Sequence, residues 1–502
     1  MIPVGAVLIA AAVARLVYVT RLGGYIEGDE AVVGIMALKI AAGEEFPLLM
    51  WEAHYGGTLT SYLGAVLFRL LDPSPLALRA ATLPIGLIGI GAVTATAHRL
   101  WGGGPALVAG AWLVAGPPLL VMLSGQAIGG YPETFCFSAL MLWLGARLGR
   151  APATEAGSAR DWILLGAAGG FGIYGHALVL PVLAGVVWAL GRHRGSLTRR
   201  ELWPLGAGLL AGLAPLLVHN VIHPGASALR LAGRVFDVSR GDVDAAASAW
   251  WLATDVGQRY LLRLVTFPER VLANVPVLLG LDGPGAGPIV VIAAAIALVA
   301  YLRYAPRAGL AAALLGWSSV STLVFLWILR LDLPRHLFPF YALVPLGLAG
   351  LWARSTRRWR ILVCVALALW LGANVSRSLR DAAAVDRGMD ALVDALEARH
   401  LTAVYTDYWI AYPLMFLSGE RILASPAAGP ANVDRHPPTS RAVAASARPV
   451  YVFRRETEAS AVFVREMRRH GLAFATDTIG GFDLYVPERH VRPGELALVR
   501  QF

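Results

Sequence analysis

The chain has 502 residues, 57% apolar and 15% charged, where soluble domains average about 45 to 50% and about 25%; the mean hydropathy is +0.60. That composition excludes an ordinary soluble protein and describes a polytopic membrane protein, whose apolar runs of about 15 to 20 residues suit a hydrocarbon core of roughly 30 Å. The net charge of +10 comes from arginines gathered in short loops, a signal of membrane orientation, and no aromatic-plus-basic platform for nucleic acid accompanies it.

The first apolar segment, residues 3–20, has the small-x-small pattern Ala12-Val13-Ala14 but no basic stretch before it, so it is expected to be a retained span rather than a cleaved signal. Gly28-Asp29-Glu30 follows. Two adjacent carboxylates at the mouth of a membrane span are expensive to place, which marks them as a candidate for chemistry. Such side chains titrate near 4 in water, so a wet pair is ionised at neutral pH and one member can serve as a general base. A plainer reading stands beside this one, with Asp29 as the N-cap of a helix beginning at Glu30.

Further spans are expected near 80–98, 104–123, 132–147, 162–174, 178–190, 202–219, 288–302, 309–329, 337–351 and 361–376, about eleven crossings in all. Arginine placement decides the two ambiguous segments. Arg99, then Arg147, Arg150 and Arg160, then Arg192, Arg194, Arg199 and Arg200, then Arg303 and Arg307, then Arg354, Arg357, Arg358 and Arg360 belong together on the cytoplasmic side. That requires 162–190 to cross twice and 56–71 not to cross. Residues 21–79 then form an outer loop with interfacial amphipathic helices near 30–42 and 58–71, and 220–287 forms a second outer loop with Trp250 and Trp251 as interfacial anchors.

The texture changes after about residue 377. Val404-Tyr405, Arg421 to Leu423, Val450 to Phe453 and Phe482 to Val486 are expected as strands, and Trp409 to Leu417 and Ala459 to His470 as helices. Gly480-Gly481 has the form of a hairpin turn, and the Pro- and Ala-rich stretch 425–449 that of a loop. The chain thus divides into a mainly α membrane domain, 1–376, and a small extracytoplasmic α/β domain, 377–502, in which no phosphate-cradling glycine motif occurs. Cys136 and Cys364 lie inside apolar runs and suggest neither a disulfide framework nor a thiolate metal site.

A first span, an acidic pair in an outer loop, further helices in that loop, many later spans and an outer α/β domain together resemble the GT-C superfamily of membrane glycosyltransferases. The likeness is to the bacterial protein O-mannosyltransferase and aminoarabinose-transferase-like branch. It is carried by Gly28-Asp29-Glu30, the following AVVGIMALKIAAGEEFP, the HYGGTL turn at 54–59, and Pro334-Arg335-His336-Leu337-Phe338-Pro339. The resemblance implies a bacterial inner-membrane enzyme that uses a polyprenyl-phosphate sugar and a protein, lipid or glycan acceptor, needs no further cofactor, and takes its base from the first residue of the acidic pair in the outer loop, Asp29, with Glu30 beside it. The chain departs from relatives in having Ala31, Val32 and Val33 after the acidic pair, where many have an arginine. It has His54-Tyr55-Gly56-Gly57 where some have Lys-Pro-Pro.

Phosphate recognition therefore falls to other residues. Arg335, at the outer end of a late span, offers a planar fork for two charge-assisted bonds, or else snorkels to the interface or pairs with Asp332. His336, next to it, and Lys39, the chain's single lysine, are further donors of positive charge. His54 and Tyr55, ahead of two glycines, are candidates to touch sugar or phosphate, as is Glu133 after Gly129-Gly130-Tyr131-Pro132, whose other reading is a helix-start carboxylate. His219 and His223 have helical spacing for a metal pair, but no nearby carboxylate supports one, and no metal requirement is expected. A transporter or flippase is the alternative function; it would show ionisable groups in mid-span and paired broken helices, of which this sequence has few.

Overall fold

The structure is a computed structural model that describes residues 2–53, 55–150, 158–227, 266–281, 309–329, 331, 333–428, 433–496 and 498. His54, Trp250, Trp251, Arg303, Arg307, Asp332 and the expected span 288–302 lie outside the described residues. Helices α1 (Ile2–Leu22), α2 (Gly28–Ala42), α3 (Leu59–Leu70), α4 (Pro75–Trp101), α5 (Gly103–Val114), α6 (Pro118–Gly125), α7 (Tyr131–Gly149), α8 (Ala159–Gly175), α9 (Leu180–Arg194) and α10 (Arg199–Ile222) come first. Helix α11 covers 266–279, and α12 (Leu310–Leu329), α13 (Phe340–Arg354) and α14 (Arg357–Ala383) complete the series.

Among the described residues, six helices are long and apolar enough to cross a membrane, or seven if one bent pair counts as a span. The expected crossing at 104–123 is that bent pair: α5 and α6 meet at 78°, broken at Gly116-Pro117-Pro118, where proline removes backbone donors. The buried Arg15 of α1 takes up carbonyls freed at the break, donating to Leu113 O at 3.1 Å and Val114 O at 3.0 Å. Helix α3, with 12 residues, is about 18 Å long and too short to span. The 162–190 region is two helices, α8 and α9, separated at His176. Helices α8 and α10 approach backbone to backbone through Gly166, Gly170, Gly208 and Gly212. A Cβ at Gly166 would stand 2.0 Å from Leu205 O, and one at Gly208 2.0 Å from Ile163 O. This is the small-residue packing that substitutes for hydrophobic drive within lipid.

Helix α2 differs from expectation. It was expected to lie in the interface with one wet face, yet residues on all sides of it, including Glu30, Ala31, Val32, Val33, Ile35, Met36 and Ala37, are buried. The reason is that α2 is covered on one side by α3 and α4 and on another by the carboxy-terminal region, all sharing one apolar core. A helix enclosed on every side carries no amphipathic signature.

The carboxy-terminal region contains α15 (Gly388–Ala398), β1 (Ala403–Tyr405), α16 (Tyr408–Leu417), β2 (Leu423–Ser425), α17 (Pro437–Ala445), β3 (Val450–Arg454), α18 (Glu458–Arg469), β4 (Phe474–Ile479) and β5 (Phe482–Pro487). Its five-stranded sheet has the order β2-β1-β3-β5-β4; β2, β1 and β3 run parallel, and β5 and β4 antiparallel. Gly480-Gly481 makes the β4–β5 hairpin turn with positive φ at both positions. Strand β4 and helices α15 and α17 add to the expected elements. Two glycines of α2 admit this region: a Cβ at Gly34 would lie 2.6 Å from the Phe416 ring, and one at Gly28 2.9 Å from Trp409 and 3.0 Å from Tyr408.

Candidate active site

The amino terminus of α2 is capped by Glu27, not Asp29. Its Oε2 accepts the N–H groups of Asp29 at 3.0 Å and Glu30 at 3.4 Å, satisfying donors that have no partner inside the helix. Asp29 is thereby free of the capping duty, and it is half-exposed. Its Oδ1 accepts a hydrogen bond from the Tyr408 hydroxyl, while Oδ2 has no hydrogen bond among the described residues.

Glu30 lies one residue on, about 100° around the helix, and is fully buried. Arg79 of α4, equally buried, meets it fork to fork, Nε to Oε1 at 2.9 Å and Nη2 to Oε2 at 2.7 Å. Ala127 N–H at 3.2 Å and Gln126 Nε2 at 3.4 Å complete its shell. Arg79 also donates to Gly23 O and Tyr25 O. The two expected catalytic carboxylates are therefore separated in kind: Asp29 keeps an open oxygen, and Glu30 has its oxygens taken up by Arg79, Gln126 and Ala127.

Burial, followed by the neighbouring Asp29 and Glu30 carboxylates, pushes the Glu27 carboxyl up to about 8. The sign follows from linkage. Between about pH 4.5 and about 8 the folded chain retains a proton at Glu27 that the unfolded chain has released, so stability is highest below that window and declines as pH rises through it. The thermal unfolding temperature of purified protein is expected to fall between pH 5 and 8. In Glu27→Gln, whose amide oxygen still accepts the two capping N–H bonds, that fall flattens; an unchanged slope across the window assigns it to other groups.

Around Asp29 the structure gathers residues distant in sequence. The Tyr131 phenol is raised above its ordinary range, above all by burial, with the charges of Arg335 and Asp29 acting on it in opposite directions. Its ring packs against His176 at 5.5 Å and edge-on to Phe338 at 5.6 Å. Tyr55 meets the His176 ring edge-on at 6.1 Å. His176 sits at the turn between α8 and α9, where burial and then the charges of His336 and Arg335 push it down to about 4. It is therefore neutral at pH 7, its Nδ1 accepting from Leu178 N–H at 3.2 Å. Arg335 is exposed at the single-turn 3₁₀ helix Pro334–Leu337, and His336 Nδ1 accepts the Leu333 N–H at 3.2 Å.

Two expected site residues lie elsewhere. Lys39 is ten residues along α2 from Asp29, about 15 Å along the axis, and its ammonium is paired with Glu420 at 3.1 Å and Glu44 at 3.3 Å. Glu133 is buried beneath the surface loop, with Oε1 taking the Thr60 hydroxyl at 2.6 Å. The His219 and His223 rings stand 4.8 Å apart, and no group of three metal-ligating side chains occurs among the described residues. Sequence reasoning did not place Glu27, Arg79, His176 or Tyr408 in the site. Arg79 had a detectable signal, since an ionisable group in an apolar helix demands a partner.

Residues 57–219 match the family model described as dolichyl-phosphate-mannose-protein mannosyltransferase. No curated protein sequence matches the chain. Among solved structures, the chain is similar to ArnT from Cupriavidus metallidurans bound to undecaprenyl phosphate, with TM-score 0.63 and 15% identity over 96% of this chain and 98% of that one. The apo state of the same protein gives 0.60 and 17% at the same coverage. The Archaeoglobus fulgidus oligosaccharyltransferase tethered with an acceptor peptide gives 0.51 and 12% over 97% of this chain and 74% of that one. Over nearly its whole length the chain thus shares the fold of the ArnT structure, and its residues 57–219 share the sequence pattern of the mannosyltransferase model.

Proposed function

We propose that the chain is an inverting glycosyltransferase that moves a sugar from a polyprenyl-phosphate donor to an acceptor hydroxyl on the extracytoplasmic side of the membrane. The observation that carries this reading is Asp29, half-buried at the start of α2 with one carboxylate oxygen held by Tyr408 and the other without a hydrogen bond among the described residues. The undecaprenyl phosphate bound to the similar ArnT structure supports a lipid phosphate as leaving group. The arginine-rich loops, read as cytoplasmic, support an outward-facing site.

In the reaction, Asp29 Oδ2 takes the acceptor hydroxyl proton as the hydroxyl oxygen forms its bond to the anomeric carbon. On the opposite face the bond from that carbon to the phosphate oxygen breaks, and its electron pair leaves with the polyprenyl phosphate. Attack opposite the leaving group inverts the anomeric centre. Arg335, exposed beside Tyr131 and His176, grips the phosphate and offsets its growing charge. The neutral His176 adds no second cation there.

The test is donor consumption by purified chain in liposomes carrying a synthetic polyprenyl-phosphate sugar, offered a panel of hydroxyl acceptors. Release of polyprenyl phosphate that depends on both protein and acceptor is expected; movement of intact donor between leaflets without its cleavage would instead indicate a flippase. Arg335→Ala is expected to raise the donor KM by about 10- to 100-fold, the equivalent of losing hydrogen bonds from a charged donor. A donor KM equal to that of the unaltered chain would remove Arg335 from the phosphate site.

A further inference from the structure

Tyr408 and Arg435 belong to the carboxy-terminal α/β region, remote in sequence from Asp29, yet Tyr408 reaches the Asp29 carboxylate and Arg435 lies over the Tyr408 ring. We propose that this region completes the catalytic site, with Tyr408 and Arg435 as positioning residues that fix the Asp29 carboxylate for proton abstraction. The inference rests on the glycosyltransferase reading above and extends it to a part of the chain that would otherwise be a cover.

The geometry begins with α16. Asp407 caps that helix, accepting Trp409 N–H at 2.8 Å and Ile410 N–H at 3.2 Å, which fixes the direction of Tyr408 at its first position. The Tyr408 ring is wedged between Trp409 at 5.0 Å and Tyr412 at 4.9 Å, in space that α2 leaves by having glycine at 28. From there its hydroxyl donates to Asp29 Oδ1. An aspartate turns about only two side-chain bonds, and such a donor on Oδ1 restricts both, leaving Oδ2 without a hydrogen bond among the described residues. Burial and then the Asp29 charge raise the Tyr408 phenol above its ordinary range, so it remains the donor throughout.

Arg435 sits on a turn clamped from both sides. Its backbone N–H donates to the Tyr412 hydroxyl at 2.6 Å. The next residue, His436, has Nε2 3.1 Å from Glu45 Oε1 and its ring 4.5 Å from that of Trp51. The Arg435 guanidinium thus lies over the Tyr408 ring, 5.9 Å from its centre, with a buried Nε that has no hydrogen-bond partner among the described residues. Its burial opposes the charge, but the Tyr408 phenol, then Tyr55 and Asp29, outweigh that and keep it cationic. An arginine held in this way polarises the phenol toward Asp29.

The plainer role of these residues is to glue the two regions together, and Tyr408→Phe separates the two roles because it retains the ring and removes only the hydroxyl. In the donor-consumption assay, Tyr408→Phe is expected to lower kcat by about 10- to 100-fold while the donor KM stays within about twofold and the thermal transition is kept. Arg435→Gln is expected to lower kcat in the same direction, and Arg435→Lys to restore part of it. Full kcat in Tyr408→Phe, or a loss confined to KM, overturns the proposal; if that variant does not fold, equal kcat in Arg435→Gln and the unaltered chain does so. Asp29→Asn run in parallel tells the two failures apart. If it is as active as the unaltered chain, the base assignment itself falls, whereas an inactive Asp29→Asn beside a fully active Tyr408→Phe removes only the role of the carboxy-terminal region.

Discussion

Asp29→Asn is expected to lower kcat for sugar transfer by about 10² to 10⁴, the usual range for removing a general base, with the donor KM changed by no more than a few-fold. The amide is nearly isosteric and its oxygen can still accept the Tyr408 hydrogen bond, so the α2 terminus should remain as it is. What it cannot do is take up a proton. Since Glu27 supplies the cap, Asp29→Asn leaves the capping hydrogen bonds in place, and the variant is expected to fold. Folded protein with full transfer would exclude Asp29 as the base. Asp29→Glu makes the complementary point: it restores a carboxylate but displaces it by one methylene, so it should recover only part of the rate, because catalysis is sensitive to misplacement on the ångström scale.

Asp29 and Glu30 were legible because ionisable side chains beside a membrane are costly and rarely idle. Their different environments were not, since adjacent helical positions point about 100° apart and only the packing decides which one is buried. Helix α2 was legible as a helix but not as an enclosed one, because the surface that encloses it includes α16, nearly 400 positions away. The Tyr408 contact with Asp29 has no local signal for the same reason. Strand β4 was missed because its middle residues are exposed and it lies at a sheet edge, where alternation is weak. Helix α17 had a signal that went unused: Pro437-Pro438 is a helix-opening pair, hidden within a stretch whose proline content suggested a loop. The parallel core strands β1 and β3 were read well, being short apolar runs with all or nearly all residues buried.

Glu30→Ala is expected to cost about 3 to 5 kcal/mol of stability, the usual penalty for stranding one partner of a buried ion pair, and to reduce the yield of folded protein sharply. Both side chains are wholly buried and joined by two short bonds, so water cannot replace the lost carboxylate and the Arg79 guanidinium is left uncompensated. Glu30→Met combined with Arg79→Met should recover much of that loss, because an apolar pair of similar volume has no charge to desolvate. Activity is not expected to return with stability. Arg79 also holds Gly23 O and Tyr25 O, and these carbonyls fix the turn that delivers Glu27 to its capping position and Asp29 to the surface. The double variant, folded but with low kcat, would identify the buried pair as the support that sets the base in place. A double variant with both normal stability and normal kcat would show that the turn keeps its shape without Arg79 and that the pair serves stability alone.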